Sequence, residues 1–300
     1  MNKKVMATAV LAALAAPGLV FAQASTVQIY GRIHQAWDSV NQGGITKDHL
    51  SNAGGSNIGF KGTESLGGGL TAWFQGETTM EVTQGNAAAT TNFDRNSGVG
   101  IQGAFGNVMF GNWDMPMKWQ TISGIKIEDT GRFGAHSLLS GGAPTTVNAR
   151  SSMSFYRREQ NSIQYWSPNM SGFEVRFGMT AADHRTGTQA LATQVTTVTT
   201  GTPRVYSLGA MYNNGPLQVG LGYERHQDAA GAGTVASPLK TDTGWTLSGG
   251  YTIAGVFRLS AMYERLKWES ATLAAAGEGD RNGWGIFGDW NIAGPHNLQM

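Results

Sequence analysis

Along most of the chain apolar and polar residues alternate one for one in short segments, the period of a strand whose two faces meet different surroundings. Leu217, Val219, Leu221 and Tyr223 fall on one face, with Gln218, Gly220, Gly222 and Glu224 on the other. Phe257, Leu259, Ala261 and Tyr263 oppose Arg258, Ser260, Met262 and Glu264, and Phe173, Val175, Phe177 and Met179 oppose Glu174, Arg176 and Gly178. The pattern predicts strands near residues 26–40, 57–65, 69–80, 97–104, 107–113, 161–167, 172–181, 203–213, 216–227, 243–253, 256–268 and 281–292, and a thirteenth from about 296. Connections alternate in length. Gly67-Gly68, Phe105-Gly106, residues 168–171, Asn214-Gly215, Ala254-Gly255 and Gly294-Pro295 read as tight turns. The connections near 81–96, 182–202, 228–242 and 269–280 are long and rich in Ala, Thr and Gly, as surface loops are.

Aromatic residues gather at segment ends: Trp37, Trp73, Tyr165, Trp166, Trp245, Tyr263, Trp268, Trp284 and Trp290. In a soluble sandwich the apolar faces would point inward. Here the arrangement reads as the interfacial girdles of a membrane barrel, with short turns on the periplasmic side and long loops outside. Strands facing lipid must pair every backbone group, so they must close on themselves. The predicted fold class is therefore all-β, a transmembrane antiparallel β-barrel. Composition agrees: 43 glycines, 10% aromatic and only 14% charged residues exclude a charge-driven disordered chain. Without cysteine there is no disulfide scaffold and no thiol chemistry. A formal net charge of +1 offers nucleic acid no bulk attraction, so no nucleic-acid partner is expected.

The first 22 residues read as an export leader, with Lys3 and Lys4, an apolar run from Val5 to Val20, and Val20-Phe21-Ala22 as a small-x-small cleavage site. Residues 23–300 then form one barrel domain, and no linker splits it. One connection stands apart, running from about residue 114 to 160. It carries Asp114, Lys118, Lys126, Glu128, Asp129, Arg132, His136, Arg150, Arg157, Arg158 and Glu159, six fixed basic groups against four acidic ones. A loop this long and charged can fold into the lumen, and acids on the loop facing bases on the wall would set a transverse field across the narrowing. An ordinary exposed loop with solvated charges is the alternative.

Three runs carry a resemblance: Val27 to Arg32, Ile58 to Leu70 (IGFKGTESLGGGL) and Phe105 to Asp114 (FGNVMFGNWD). They resemble the general porins of Gram-negative bacteria, particularly the beta-proteobacterial and neisserial type. Asn161 to Pro168 resembles the strand after that family's third loop, and residues 114–160 stand where its constriction loop belongs. The resemblance implies a homotrimer of 16-stranded barrels in the outer membrane, in contact with its lipid and lipopolysaccharide, passing ions and small hydrophilic solutes without a cofactor. By position it implies that Arg32 and Lys61 are basic wall residues facing the lumen. The family's Pro-Glu-Phe-Gly stretch is absent from the loop, where Asp114-Met115-Pro116-Met117 stands near its place.

Catalysis has few candidates. None of the six histidines lies in an HxxxH or HExxH spacing, and no GxSxG elbow is present. His34 reads as a lumen residue on the polar face of the first strand; Glu77, Glu174 and Arg176 also fall on polar faces. Gly220-Leu221-Gly222 lacks the rest of a nucleotide fingerprint and reads as strand glycine beside a wide lumen. A barrel hydrolase of the phospholipase kind and a plugged adhesin or structural barrel remain the competing readings. The strand count adds an expectation: sixteen strands at about 21 residues each would need roughly 340 residues. A C-terminally incomplete barrel is therefore expected, with no ladder between residues 27–36 and residues 281–300; a natural twelve-strand barrel is the alternative.

Overall fold

The computed structural model describes residues 26–52, 55–80, 82–83, 93–126, 155–180, 204–230, 240–269, 279–294 and 296–300. The predicted leader lies outside them, as do Glu128, Asp129, Arg132, His136 and Arg150. The elements are β1 (Thr26–Arg32), β2 (Gln35–Gln42), β3 (Ile45–Asn52), β4 (Asn57–Gly67), β5 (Leu70–Thr79), β6 (Ser97–Gly103), β7 (Gly106–Asp114), α1 (Pro116–Ile125), β8 (Arg158–Trp166), β9 (Phe173–Thr180), β10 (Arg204–Asn214), β11 (Leu217–Ala230), β12 (Lys240–Ile253), β13 (Phe257–Trp268), β14 (Gly279–Ala293) and β15 (His296–Gln299). Thirteen of the strands form one antiparallel sheet in the order β1, then β4 through β15, each hydrogen-bonded to its neighbour in sequence. This meander is the fold that alternating strands and tight turns predict. β1 and β15 stand at the two ends of that order, and no ladder joins them among the described residues.

The first predicted strand needs correcting. β1 ends at Arg32, and the chain then makes a separate hairpin of β2 and β3 that pairs outside the main sheet. Residues 35–42 (QAWDSVNQ) lose strict alternation, with Ala36 beside Trp37 and Asp38 beside Ser39, but that break does not by itself name a change of partner. The turn does leave a signal: Gly43 and Gly44 both have positive φ, +63° and +81°, as the two central residues of a tight hairpin turn require. His34 is consequently not on a strand face. Its backbone N–H donates to Ser56 Oγ at 2.9 Å and its carbonyl accepts from the same hydroxyl at 3.1 Å, tying the hairpin back to the start of β4.

The outer face of the sheet is apolar and exposed, which fits lipid contact rather than water. Across β12, β13 and β14 it carries aromatic pairs at a common spacing: Trp245 and Tyr251, Tyr263 and Phe257, Trp284 and Trp290. The registers Tyr263↔Trp284 and Phe257↔Trp290 align them into two bands, about 20 Å apart along the strands. Leu247, Leu259 and Ile286 fill the zone between, all exposed. Trp284 is 73% exposed, where β14 pairs with β13 on one side and β15 reaches only residues 289–293 on the other. Four predicted girdle residues belong elsewhere. Trp268 is buried at 1% exposure, and Trp73 and Trp166 lie on the inner face, because Phe74 and Tyr165 beside them take the outward positions. Trp37 belongs to the separate hairpin.

Candidate functional site

The long connection turns inward. After Asp114 the chain leaves β7 and forms α1, which packs against the inner face of β9 to β13. Pro116 opens the helix, where a missing N–H costs nothing, and Lys126 closes it in the left-handed region with its N–H bonded to the Ile122 carbonyl. No side chain of its own caps the N-terminus; the wall does so instead. Met117 N–H donates to Ser207 Oγ at 2.9 Å. At the other end Arg258 Nη2 donates to the Gly124 carbonyl at 2.7 Å, and Ser260 Oγ donates to the Ile125 carbonyl at 3.0 Å. The terminal groups that a helix leaves unpaired are thus satisfied from β10 and β13, with a guanidinium at the negative end of the helix dipole.

The helix comes this close because the wall beneath it is small. A β-carbon at Gly209 would collide with the Pro116 carbonyl, and one at Gly220 would lie 2.6 Å from Gln120 Nε2. Gly178 and Gly222 likewise lie under Pro116 and Met117. These are not glycines beside a wide lumen, as the sequence reading has Gly220 and Gly222, but the floor of a helix. Gln120 completes the seam: its Oε1 accepts from Thr246 Oγ1 at 2.8 Å, and its amide donates to Ser248. Above the C-terminal strands an apolar cluster of Met115, Met117, Phe155, Val205, Leu266 and Trp268 closes the packing.

Several predicted site residues meet where β7 leaves the wall. Asp114 Oδ1 lies 2.7 Å from Lys118 Nζ and 3.1 Å from Arg158 Nη2. Asn96 donates to Asp114 Oδ2 at 3.1 Å, and its own oxygen accepts from Arg158 Nε at 2.7 Å. Arg158 belongs to β8 rather than to the loop, and its register partner is Asp114. Burial pulls the Lys118 ammonium below the ordinary lysine range, against the opposing pull of Asp114. Glu77 forms a second group, paired with Arg95 and accepting from Tyr30 Oη at 3.1 Å.

The remaining predictions scatter. Arg176 is stacked between two indoles, its guanidinium 3.8 Å from the Trp119 ring and 4.4 Å from that of Trp166, and it pairs with Glu174 at 2.7 Å. Arg157 is buried in an ion pair with the fully buried Glu159. Arg32 and Lys61 are exposed on β1 and β4, Lys61 lying 5.1 Å from the Tyr30 ring. Lys126 is exposed at the end of α1. Among the described residues no cluster of His, Asp or Glu is arranged to hold a metal ion. Sequence reasoning left out Arg95, Ser207, Arg258 and Ser260 as site residues. Arg258 and Ser260 were visible as the polar face of an alternating strand, but nothing in their spacing names a helix carbonyl as the partner.

An antiparallel meander with an apolar, aromatic-banded outer face and a polar inner face, against which residues 116–125 of the long connection lie as a helix, defines a membrane barrel. Comparison with known proteins gives the same class a family. The Gram-negative porin family model matches residues 7–300. The chain is 31% identical over 267 residues to outer membrane porin protein 32 of Delftia acidovorans, covering 86% of this chain and 69% of that one. It is 33% identical over 177 residues to a major outer membrane protein P.IB of Neisseria gonorrhoeae, covering 54% of this chain and 45% of that one. Among solved structures, the anion-selective porin from Comamonas acidovorans superposes with a TM-score of 0.69 at 25% identity, covering 92% of this chain and 77% of that one. The chain belongs to the Gram-negative porin family and is an outer-membrane porin.

Proposed function

We propose that the protein lines a passive, water-filled path for ions and small hydrophilic solutes, with selectivity set by size and charge where α1 narrows the lumen. The observation that carries this is the attachment of α1 at both ends to the inner wall, through Ser207, Arg258 and Ser260, which fixes a constriction without sealing the opposite side. Arg32, Lys61, Arg95, Arg158 and the ends of α1 border the remaining space, so the preference is for anions and is weak, because Asp114 and Glu77 neutralise part of it. Similarity to the anion-selective porin from Comamonas acidovorans supports that sign. No reaction is catalysed; the buried carboxylates are paired with bases or seated on the wall. Trimer formation on the apolar outer face, contact with lipopolysaccharide above the outer aromatic band, and removal of residues 1–22 on export belong to the same reading.

Reconstitution in a planar bilayer under a salt gradient tests it. Discrete current steps with a reversal potential on the anion side are the expected result. Fatty-acid release from lipid without current steps would establish the hydrolase instead, and neither activity would leave a structural barrel.

A further inference from the structure

Opposite α1, on the inner face of β1 and β4 to β8, three indoles meet. Trp73 and Trp113 contact edge to face at 5.5 Å, Trp113 and Trp166 lie 5.6 Å apart, and Trp73 and Trp166 stack at 6.1 Å. The N–H of Trp73 donates to Asn107 Oδ1 at 2.6 Å and that of Trp166 to Gln164 Oε1 at 3.0 Å. Both polar edges are therefore occupied and Arg176 stacks on the Trp166 ring, so what these two indoles turn to the space beside them is apolar ring surface. They border a cavity of about 380 Å³ that also receives Lys61 and the carboxamides of Gln28 and Gln102. No carboxylate lines it, and among the described residues none pairs with Lys61. Among the described residues no hydrogen bond engages the side-chain amides of Gln28 and Gln102 either, so they too are open to a solute.

Neither packing nor ion passage needs this combination. A wall that only conducts salt has no use for three half-exposed indoles, whose contact with water is unfavourable. A structural aromatic core would exclude the ammonium, yet the register Gln28↔Lys61↔Gln75 sets that charge beside Gln28 and one inward position along β5 from Trp73, with Gln102, opposite Thr71, one inward position beyond Trp73. We propose that this cavity is a binding subsite for planar aromatic carboxylates, with the ring against the indoles, the carboxylate at Lys61 Nζ beside Gln28, and the far edge of the ring toward Gln102. The fixed cation selects an acid over a neutral sugar, and the indoles select a flat ring over an aliphatic chain. Occupancy must be weak, since a solute that binds tightly does not leave a channel.

The subsite rests on the pore reading, so the experiment separates the two. Bilayer recordings of the full chain are made with 4-hydroxybenzoate, cyclohexanecarboxylate, acetate and glucose, and the same four solutes are titrated calorimetrically against the detergent-solubilised protein. The expected result is saturable interruption of the current by 4-hydroxybenzoate at millimolar concentration, with cyclohexanecarboxylate weaker and acetate and glucose without effect. Lys61→Gln and Trp113→Leu should each raise the half-saturating concentration by roughly tenfold, whereas Arg265→Gln, on the outer face, should leave it unchanged. Equal effects of all three acids, saturable binding of glucose, or an unaltered response in Lys61→Gln with retained binding heat would overturn the subsite and leave the pore standing. Absence of current steps would overturn both.

Discussion

The two sides of the inner wall are built from strands of the same alternating pattern, and they do opposite things. Beneath α1 the inward positions are small: Gly209 and Gly220 admit the helix backbone, and Ser207 and Ser260 bond its ends. Across from it large and charged residues occupy inward positions, with Tyr30, Lys61, Trp73, Glu77 and Trp113 standing free of the helix. An α-helix is about 10 Å across with its side chains, so it can lie inside a barrel without blocking it only where the wall gives up volume. The comparison shows a lumen shaped by residue size on one side and equipped with chemistry on the other.

The largest effect should come from filling the floor. Gly220→Val places side-chain atoms where Gln120 sits, and overpacking of this kind costs about 1–3 kcal/mol. The helix should lift, and single-channel conductance should rise while the thermal unfolding temperature, followed by circular dichroism, falls. The same substitution at an outward position such as Leu221 should do neither. Arg258→Met comes next, because it strands the Gly124 carbonyl and Gln218 Oε1 in a buried setting. A loss of about 1–3 kcal/mol and noisier, larger current steps are expected. Unchanged steps would mean that Ser260 alone holds the end of the helix.

On the opposite side charge, not volume, should respond. Arg158→Glu removes one of the two bases on Asp114 and sets a like charge beside it, so the reversal potential should move toward cations with little change in conductance. The smallest effect concerns pH. Burial lowers the Lys118 pKa, so its positive charge disappears as pH rises before an ordinary lysine would lose one. Anion preference should therefore weaken on the alkaline side at a pH below the usual lysine range, and Lys118→Met should abolish that step while retaining any later one.

Much of this was legible beforehand. The strand positions from residue 57 onward, the tight turns, the inward placement of Glu224 and Arg258 and the inward-turning loop all follow from period and connection length. The misplaced tryptophans show where reading stopped short. Trp73 and Trp166 each sit beside another aromatic residue, and a period of two must send one of each pair to the inner face. Arg157 shows a different gap: it adjoins Arg158 in a charged run, but one side chain is buried against Glu159 while the other meets Asp114. A bulge between β7 and β8 near Gly111 and Trp113 shifts the pairing there, and no local pattern announces it.

By itself, then, the sequence determined an antiparallel membrane barrel of the porin family, most of its strand and turn positions, and which connection stands apart in length and charge. These are consequences of period, turn chemistry and loop length, all local properties. Only the tertiary structure decided that residues 116–125 form a helix, that Gly209 and Gly220 are its floor, and that Trp73, Trp113 and Trp166 converge beside Lys61. Those facts depend on partners up to 135 positions apart in the chain, as Ser260 and Ile125 are, and on register between strands that are not sequence neighbours of the loop. A one-dimensional pattern says which side of a strand a residue occupies; what stands across from it is set by how the sheet curves around α1.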